Sequence, residues 1–229
     1  MDLLEYENKL YDEGIEYIAG VDEVGRGPLY GPVVTAAVIL KKGYKLEGLT
    51  DSKKLTPRQR DKFYDIICRD AIAIGIGEKS NEVIDEINIY EATKEAMYEA
   101  INKLEVKPEH VLIDAMKLEN LDIPSTSIIK GDSKSLSIAA ASVIAKVTRD
   151  RMMEEEDKIH PGYGFASHKG YPTKKHVESV LALGVLDKHR KTFEPIKSII
   201  DGSDLNERKR KKISKKEKNG DKENSKYES

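Results

Sequence analysis

Apolar positions in this chain fall into two kinds of run. Short, persistent or alternating runs occur at Ile15 to Val21, Val33 to Leu40, Ala71 to Gly77, Val111 to Ile113 and Ser127 to Ile129. Runs of that length, rich in β-branched and small residues, predict strands. Between and after them the apolar positions recur at helical spacing. A short helix is expected over residues 2–14, ended by Gly14. A second is expected from Pro57 to about Arg69, with Thr56 as its N-cap and Phe63, Ile66 and Ile67 on one face. A third runs from Asn81 to about Leu104, with a break near Asn88 and a stripe of Ala92, Ala96, Met97, Ala100, Ile101 and Leu104. A long helix is expected from about Ser135 to Ile159, small and apolar in its first half, charged on most faces in its second. Thr173 caps another through Leu183, stopped by Gly184, and Phe193 to Ile200 forms a last short one.

Three strands in meander followed by strands alternating with helices imply an α/β fold. It is a mixed sheet flanked by helices, with a C-terminal helical segment. Residues 1–200 are expected to form that domain and residues 201–229 a tail. The tail changes the charge picture. The net charge of −2 divides into −8 over residues 1–207 and +6 over residues 208–229, where R-K-R-K-K-I-S-K-K-E-K fills positions 208–218. A basic, apolar-poor tail is a disordered segment or one that adds salt-dependent affinity for a polyanion.

Composition narrows the class further. No apolar run reaches the roughly 18 residues of a membrane span, and the acidic N-terminus lacks the pattern of a secretory signal. A single cysteine, Cys68, excludes an internal disulfide, fits a cytoplasmic location and is expected in the helix core. The lack of a coiled-coil pattern suggests a monomer.

Candidate chemistry concentrates between the first two strands, where Ile18 to Pro32 reads I-A-G-V-D-E-V-G-R-G-P-L-Y-G-P. Asp22 and Glu23 stand where the apolar run stops, then Gly25, Arg26 and Gly27 follow. Glycines allow close approach of another molecule, and free N–H groups beside an arginine suit phosphate. Asp114 and Asp132 likewise follow apolar strands. Any one of these acids alone reads as a solvated strand end. If the strands are neighbours, four carboxylates converge, and a divalent cation is the simplest relief of their repulsion. Oxygen ligands without a His or Cys cluster favour Mg²⁺ or Mn²⁺ over zinc.

The string D-E-V-G-R-G-P resembles the signature of type 2 ribonuclease H (ribonuclease HII), bacterial type. The blocks D-S-K-K-L (51–55), L-I-D-A (112–115), K-G-D-S-K-S (130–135), A-A-S-V-I-A-K-V-T-R-D (140–150), H-K-G-Y-P-T (168–173) and H-R-K-T-F-E-P (189–195) extend the likeness over roughly 15–197. It implies a ribonuclease H-like fold and a metal-dependent endonuclease. Such an enzyme cuts the RNA strand of RNA–DNA hybrids and nicks duplex DNA 5′ of embedded ribonucleotides, leaving 5′-phosphate and 3′-hydroxyl ends. By the same resemblance Asp22, Glu23, Asp114 and Asp132 hold two Mg²⁺ or Mn²⁺ ions. Gly25, Arg26 and Gly27 read the 2′-hydroxyl and its phosphates, and Tyr171, rather than its loop neighbour Tyr163, packs on the sugar. Ser52 and Lys53 hold a phosphate, or simply open a helix. Lys146 and Arg149 face nucleic acid, or pair with neighbours such as Asp150. His168 is a phosphate contact or a surface-loop residue. A DNA-only nuclease on the same fold and a non-catalytic binder acting through its tail are the competing readings.

Overall fold

The computed structural model describes residues 3–49, 52 and 55–202. Lys53 and the basic segment 208–218 therefore lie outside the described residues. Five strands form one sheet in the order β3-β2-β1-β4-β5. They are β1 (Ile18–Val24), β2 (Val33–Ile39), β3 (Ala73–Lys79), β4 (His110–Asp114) and β5 (Ser125–Ile128). The first three form the expected antiparallel meander, whereas β4 and β5 run parallel to β1. The helices are α1 (Glu5–Asp12), α2 (Pro57–Asp70), α3 (Asn81–Asn102), α4 (Leu136–Ile159), α5 (Phe165–His168), α6 (Lys174–Leu183) and α7 (Ile196–Ile200).

Strand pleat decides which helix each residue meets. Ala19, Val21, Ala37, Ile39, Val111 and Ile113 form one buried face with Met97, Ala100 and Ile101 of α3. Ala36 and Val38 turn the other way, onto α4 and α2, and Ile18, Leu112 and Ile128 do the same against Ile138 and α1. Helix α4 lies very close to β1: a side chain at Gly20 would overlap the Ser137 backbone at 2.0 Å. The N-terminus of α4 is closed by its cap Ser135 and by Glu7 of α1, whose carboxylate accepts from Ser135 Oγ (2.6 Å) and Ser137 N (2.9 Å).

Local signals place most elements where the sequence puts them. Thr56 and Gln59 form a full capping box ahead of Pro57. Asn88 breaks α3 with φ 71° and caps its second half through Oδ1. Other elements shift. β1 starts three residues later than expected because the Glu109 carboxylate takes the Glu16 and Tyr17 N–H groups (2.6 and 2.9 Å). It then continues past the apolar run, since pairing with β2 extends to Val24↔Val34. Cys68 is exposed, not in the core, because Phe63 and Ile67 turn the buried face of α2 away from it. The second half of α4 is not all solvent-facing either: Arg149, Met153 and Glu156 are buried.

Candidate functional site

The register of β1 on β4 sets the acidic centre. Val21 stands beside Ile113, so the next residues, Asp22 and Asp114, are neighbours at the same end of the sheet. Both follow positions that face α3, and strand alternation turns both toward α4. Asp22 is only 5% exposed. Its carboxyl is pushed well above the usual range, first by burial and then by the charges of Glu23 and Asp114.

Hydrogen bonds hold these acids in place. Asp22 Oδ1 accepts from the Glu23 N–H at 2.7 Å, and its carboxylate also accepts from the Ser142 hydroxyl on α4. Ser142 Oγ in turn lies 2.7 Å from Ser52 Oγ. Since Ser142 donates to Asp22, Ser52 is the donor of the second bond. Ser52 is thus buried and bonded to Ser142, neither facing a phosphate nor standing in a solvated loop, the two readings the sequence left open. Arg60 anchors that segment through the Ser52 and Leu55 carbonyls (3.1 and 2.6 Å).

Asp114 Oδ1 accepts from Gly131 N at 2.6 Å. This ties β4 to the 3₁₀ turn Gly131–Ser133, in which Asp132 is buried. Both approaches to the centre use left-handed backbone at residues other than glycine: Ala115 (φ 48°) directly after Asp114, and Lys130 (φ 57°) two residues before Asp132. Such conformations cost about 1–3 kcal/mol each and concentrate at functional sites. Glu23 lies one step along β1, with Oε1 3.4 Å from Arg26 Nη1. Among the described residues, no three His, Cys, Asp or Glu side chains are already closed around one point as a metal cluster. The donor chemistry fits a hard divalent cation, because all four side chains are carboxylates and burial and neighbouring charge outweigh the two hydrogen bonds that favour the charged form of Asp22.

The glycine–arginine–glycine segment begins beyond Val24. Gly25 is at φ 92°, and a Cβ there would come within 2.4 Å of Arg149 Nε. Arg26 and Gly27 are exposed. The Tyr171 ring lies against Gly27, with Cε1 3.5 Å from where a Cβ would stand. The Leu29 N–H donating to the Gly170 carbonyl at 2.8 Å fastens the two loops together. Tyr171 is 37% exposed, whereas Tyr163 is 6% exposed with its hydroxyl bound to the Gly184 carbonyl at 2.9 Å. Tyr163 is therefore part of the scaffold, and Tyr171 is the tyrosine with an open face.

Three histidines support this loop, and sequence spacing gave them no role together. His176 Nδ1 donates to the Tyr171 carbonyl (3.0 Å), and its Nε2 accepts from His189 Nε2 (3.2 Å). His189 Nδ1 accepts from the Leu186 N–H at 2.9 Å. Each ring then carries one proton and stays neutral. Burial agrees, pushing both His176 and His189 down to about 4. His168 stacks on His176 and bonds the Tyr163 carbonyl and Gly170 N–H, so it is a loop organiser.

Lys146 pairs with Asp150 at 2.6 Å. It lines an open groove of about 650 Å³ shared with Arg60, Arg151 and Lys169. Arg149, considered above as facing nucleic acid or pairing with an acid, does neither. It is fully buried and donates to the carbonyls of Tyr30, Pro32 and Lys169. The sequence reading gave no role to Ser142, His176 or Arg190. All three lie in or near blocks that it singled out, but only the fold shows what they touch.

Comparison with known proteins gives matches over most of the chain. The family profile described as Ribonuclease HII matches residues 19–195. Ribonuclease HII of Bacillus cytotoxicus is 60% identical over 200 residues, covering 87% of this chain and 77% of the relative. A solved structure of ribonuclease H2 from Pyrococcus horikoshii superposes with TM-score 0.68 at 28% identity, covering 80% of this chain and 96% of the other. The RNase HII of Archaeoglobus fulgidus, solved in a complex with PCNA, gives TM-score 0.65 at 28% identity, covering 78% and 95%.

Proposed function

The chain belongs to the ribonuclease HII family, and from that premise we propose that it hydrolyses the RNA strand of RNA–DNA hybrids and nicks duplex DNA immediately 5′ of an embedded ribonucleotide. The products carry 5′-phosphate and 3′-hydroxyl ends. The observation that supports this reading is the placing of Asp22 and Asp114 one step beyond the Val21↔Ile113 pair at the sheet end, three residues from Gly25 and the loop that Tyr171 covers.

Asp22, Glu23, Asp114 and Asp132 are the residues that would hold two divalent ions, Mg²⁺ or Mn²⁺. Bound there, such ions would activate a water and stabilise the leaving 3′ oxygen. The chain's own part is orientation. Ser142 fixes the Asp22 carboxylate and the Gly131 N–H fixes that of Asp114. Gly25, Arg26 and Gly27 would meet the 2′-hydroxyl and adjoining phosphates, the group that separates RNA from DNA at a given site. The exposed Tyr171 face would pack on the sugar at the junction. Lys146 would follow the phosphate backbone along its groove, Ser52 acts through Ser142, and Lys53 keeps the phosphate-binding role given above. Among the described residues no helix is long and apolar enough to cross a membrane, and we take the protein to act as a cytoplasmic monomer.

The test is a cleavage map on an end-labelled DNA duplex with one ribonucleotide, with and without Mg²⁺, beside an all-DNA twin. A single metal-dependent nick 5′ of the ribonucleotide is expected. Equal cutting of the all-DNA twin would instead identify a nuclease that ignores the 2′-hydroxyl. Binding without cutting in Mg²⁺ or Mn²⁺ would remove the activity.

A further inference from the structure

Beneath the Gly25–Pro32 loop lie two arginines, Arg149 from α4 and Arg190 from the segment before α7, both fully buried. Neither forms an ion pair among the described residues. Arg149 donates through Nε to Pro32 O (3.0 Å), through Nη1 to Lys169 O (2.9 Å) and through Nη2 to Tyr30 O (3.0 Å). Arg190 donates through Nη1 to Arg26 O (2.9 Å), through Nη2 to Gly25 O (2.6 Å) and Gly31 O (2.9 Å), and through Nε to Gly31 O (3.0 Å). The acids whose charge reaches them are committed elsewhere. Asp150 pairs with Lys146. Asp85 accepts from Lys191 N, Thr192 N and Thr192 Oγ1 at 2.7, 3.0 and 2.5 Å.

A buried charge is costly unless paired, and these two also repel one another. Five of the eight carbonyls between Gly25 and Pro32 are turned inward to them. The Leu29 and Gly31 N–H groups are taken by the Gly170 and Lys188 carbonyls, whereas among the described residues Arg26 and Gly27, both exposed, make no backbone hydrogen bond through their N–H groups. Successive free N–H groups over a positive charge form an anion-binding concavity.

We infer that Arg149 and Arg190 act as a two-arginine clamp that holds the Gly25–Pro32 loop so that the Arg26 and Gly27 N–H groups stay open to a ligand, and that a nucleic-acid phosphate beside the ribonucleotide is the missing counter-charge. This rests on the substrate reading above and adds two positioning residues that touch no substrate. The guanidinium fork matters as much as the charge, because a lysine is a point charge that cannot reach the Gly25, Arg26 and Gly31 carbonyls together.

The test compares wild type, Arg190→Lys and Arg149→Lys in three measurements. One is Mn²⁺ affinity, which reports the carboxylate end. The second is equilibrium binding, in EDTA, of the one-ribonucleotide duplex against its all-DNA twin. The third is hydrogen exchange across Gly25–Pro32. Folded Arg190→Lys is expected to keep wild-type Mn²⁺ affinity, lose roughly tenfold or more of its preference for the ribonucleotide duplex, and exchange faster across the loop. Wild-type preference and exchange in that variant overturn the clamp. If neither variant folds, the wild-type protein decides. Arg26 and Gly27 amides that exchange freely alone and gain protection on the ribonucleotide duplex, while Leu29 and Gly31 stay protected throughout, support the clamp. Arg26 and Gly27 amides unaffected by the duplex overturn it. Wild type binding both duplexes equally would refute the substrate reading, and the effect of Arg190→Lys on exchange would still judge the clamp.

Discussion

Three steps of chain, from Asp22 to Gly25, separate two regions that bury charge of opposite sign. At the sheet end a buried carboxylate is crowded by two others. Under the neighbouring loop two buried guanidiniums donate only to backbone carbonyls, and that of Arg190 also lies 5.1 Å from the Phe193 ring centroid. The first region holds its charge in side chains that a ligand would touch. The second holds it one layer back and displays it through the backbone. On the proposed reading a cation belongs at one and an anion at the other, and each buried charge has its own hydrogen-bonded support. The difference shows that a polar site can store charge either at its surface or behind it.

The strongest way to break this comparison is at the acidic end. Asp22→Asn and Asp114→Asn are each expected to lower cleavage by about 1000-fold or more, the scale of losing several kcal/mol of transition-state charge stabilisation. Asp22→Asn keeps an acceptor for Ser142 and removes a buried charge, so its metal-free melting temperature should rise, not fall. A large drop in melting temperature would mean that the charge is not held at a cost.

The loop should respond in the opposite sense. Gly25→Ala forces a side chain into left-handed backbone and against Arg149, and is expected to cost about 2–4 kcal/mol in denaturant unfolding. Gly14→Ala is the matched control, because Gly14 is also left-handed (φ 89°) with nothing within 4 Å of its Cβ position. It should cost about 1–2 kcal/mol. Equal losses at the two sites would remove Arg149 from the account.

The smallest expected effect is on pH. His176 and His189 sit at about 4 in the folded chain, chiefly through burial. In the unfolded chain they titrate near about 6.5. The unfolded state therefore takes up protons first, and stability intact above that value is lost as pH falls toward 4. Asp22 works the other way, since its raised folded value means that protonation relieves the fold as pH drops. Thermal melts from about pH 7 to about pH 4 should show a net fall that is shallower in His189→Gln. A wild-type profile no steeper than that of His189→Gln would mean that the histidine chain does not hold the loop neutral.

The acidic end was legible in the sequence because strand ends are local signals: V-L-I-D and I-A-G-V-D each announce a carboxylate where an apolar run closes. The capping box at Thr56 and the break at Asn88 were legible for the same reason. Arg149 and Arg190 were not. An arginine reads as surface charge until the fold shows several carbonyls turned toward it, and all of those carbonyls but that of Lys169 come from residues over 100 positions away. Ser52 was misplaced because a hydroxyl has the same appearance in a sequence whether it faces a phosphate or Ser142. Cys68 failed more simply, since I-I-C fits two faces of a helix and packing uses only one.

Helix α4 touches both regions with one rigid body. Ser142 reaches Asp22, and Arg149, two turns further along, reaches the loop. Seven residues of helix span roughly 10 Å and return to nearly the same face. The helix is thus a ruler: the interval between the acidic end and the loop is written as a residue count. A single residue inserted between Ser142 and Arg149 would swing one grip about 100° away from the other. Within this stretch of α4 the buried Val143, Ile144, Ala145 and Val147 constrain which side chains fit, and the two grips constrain the length as well.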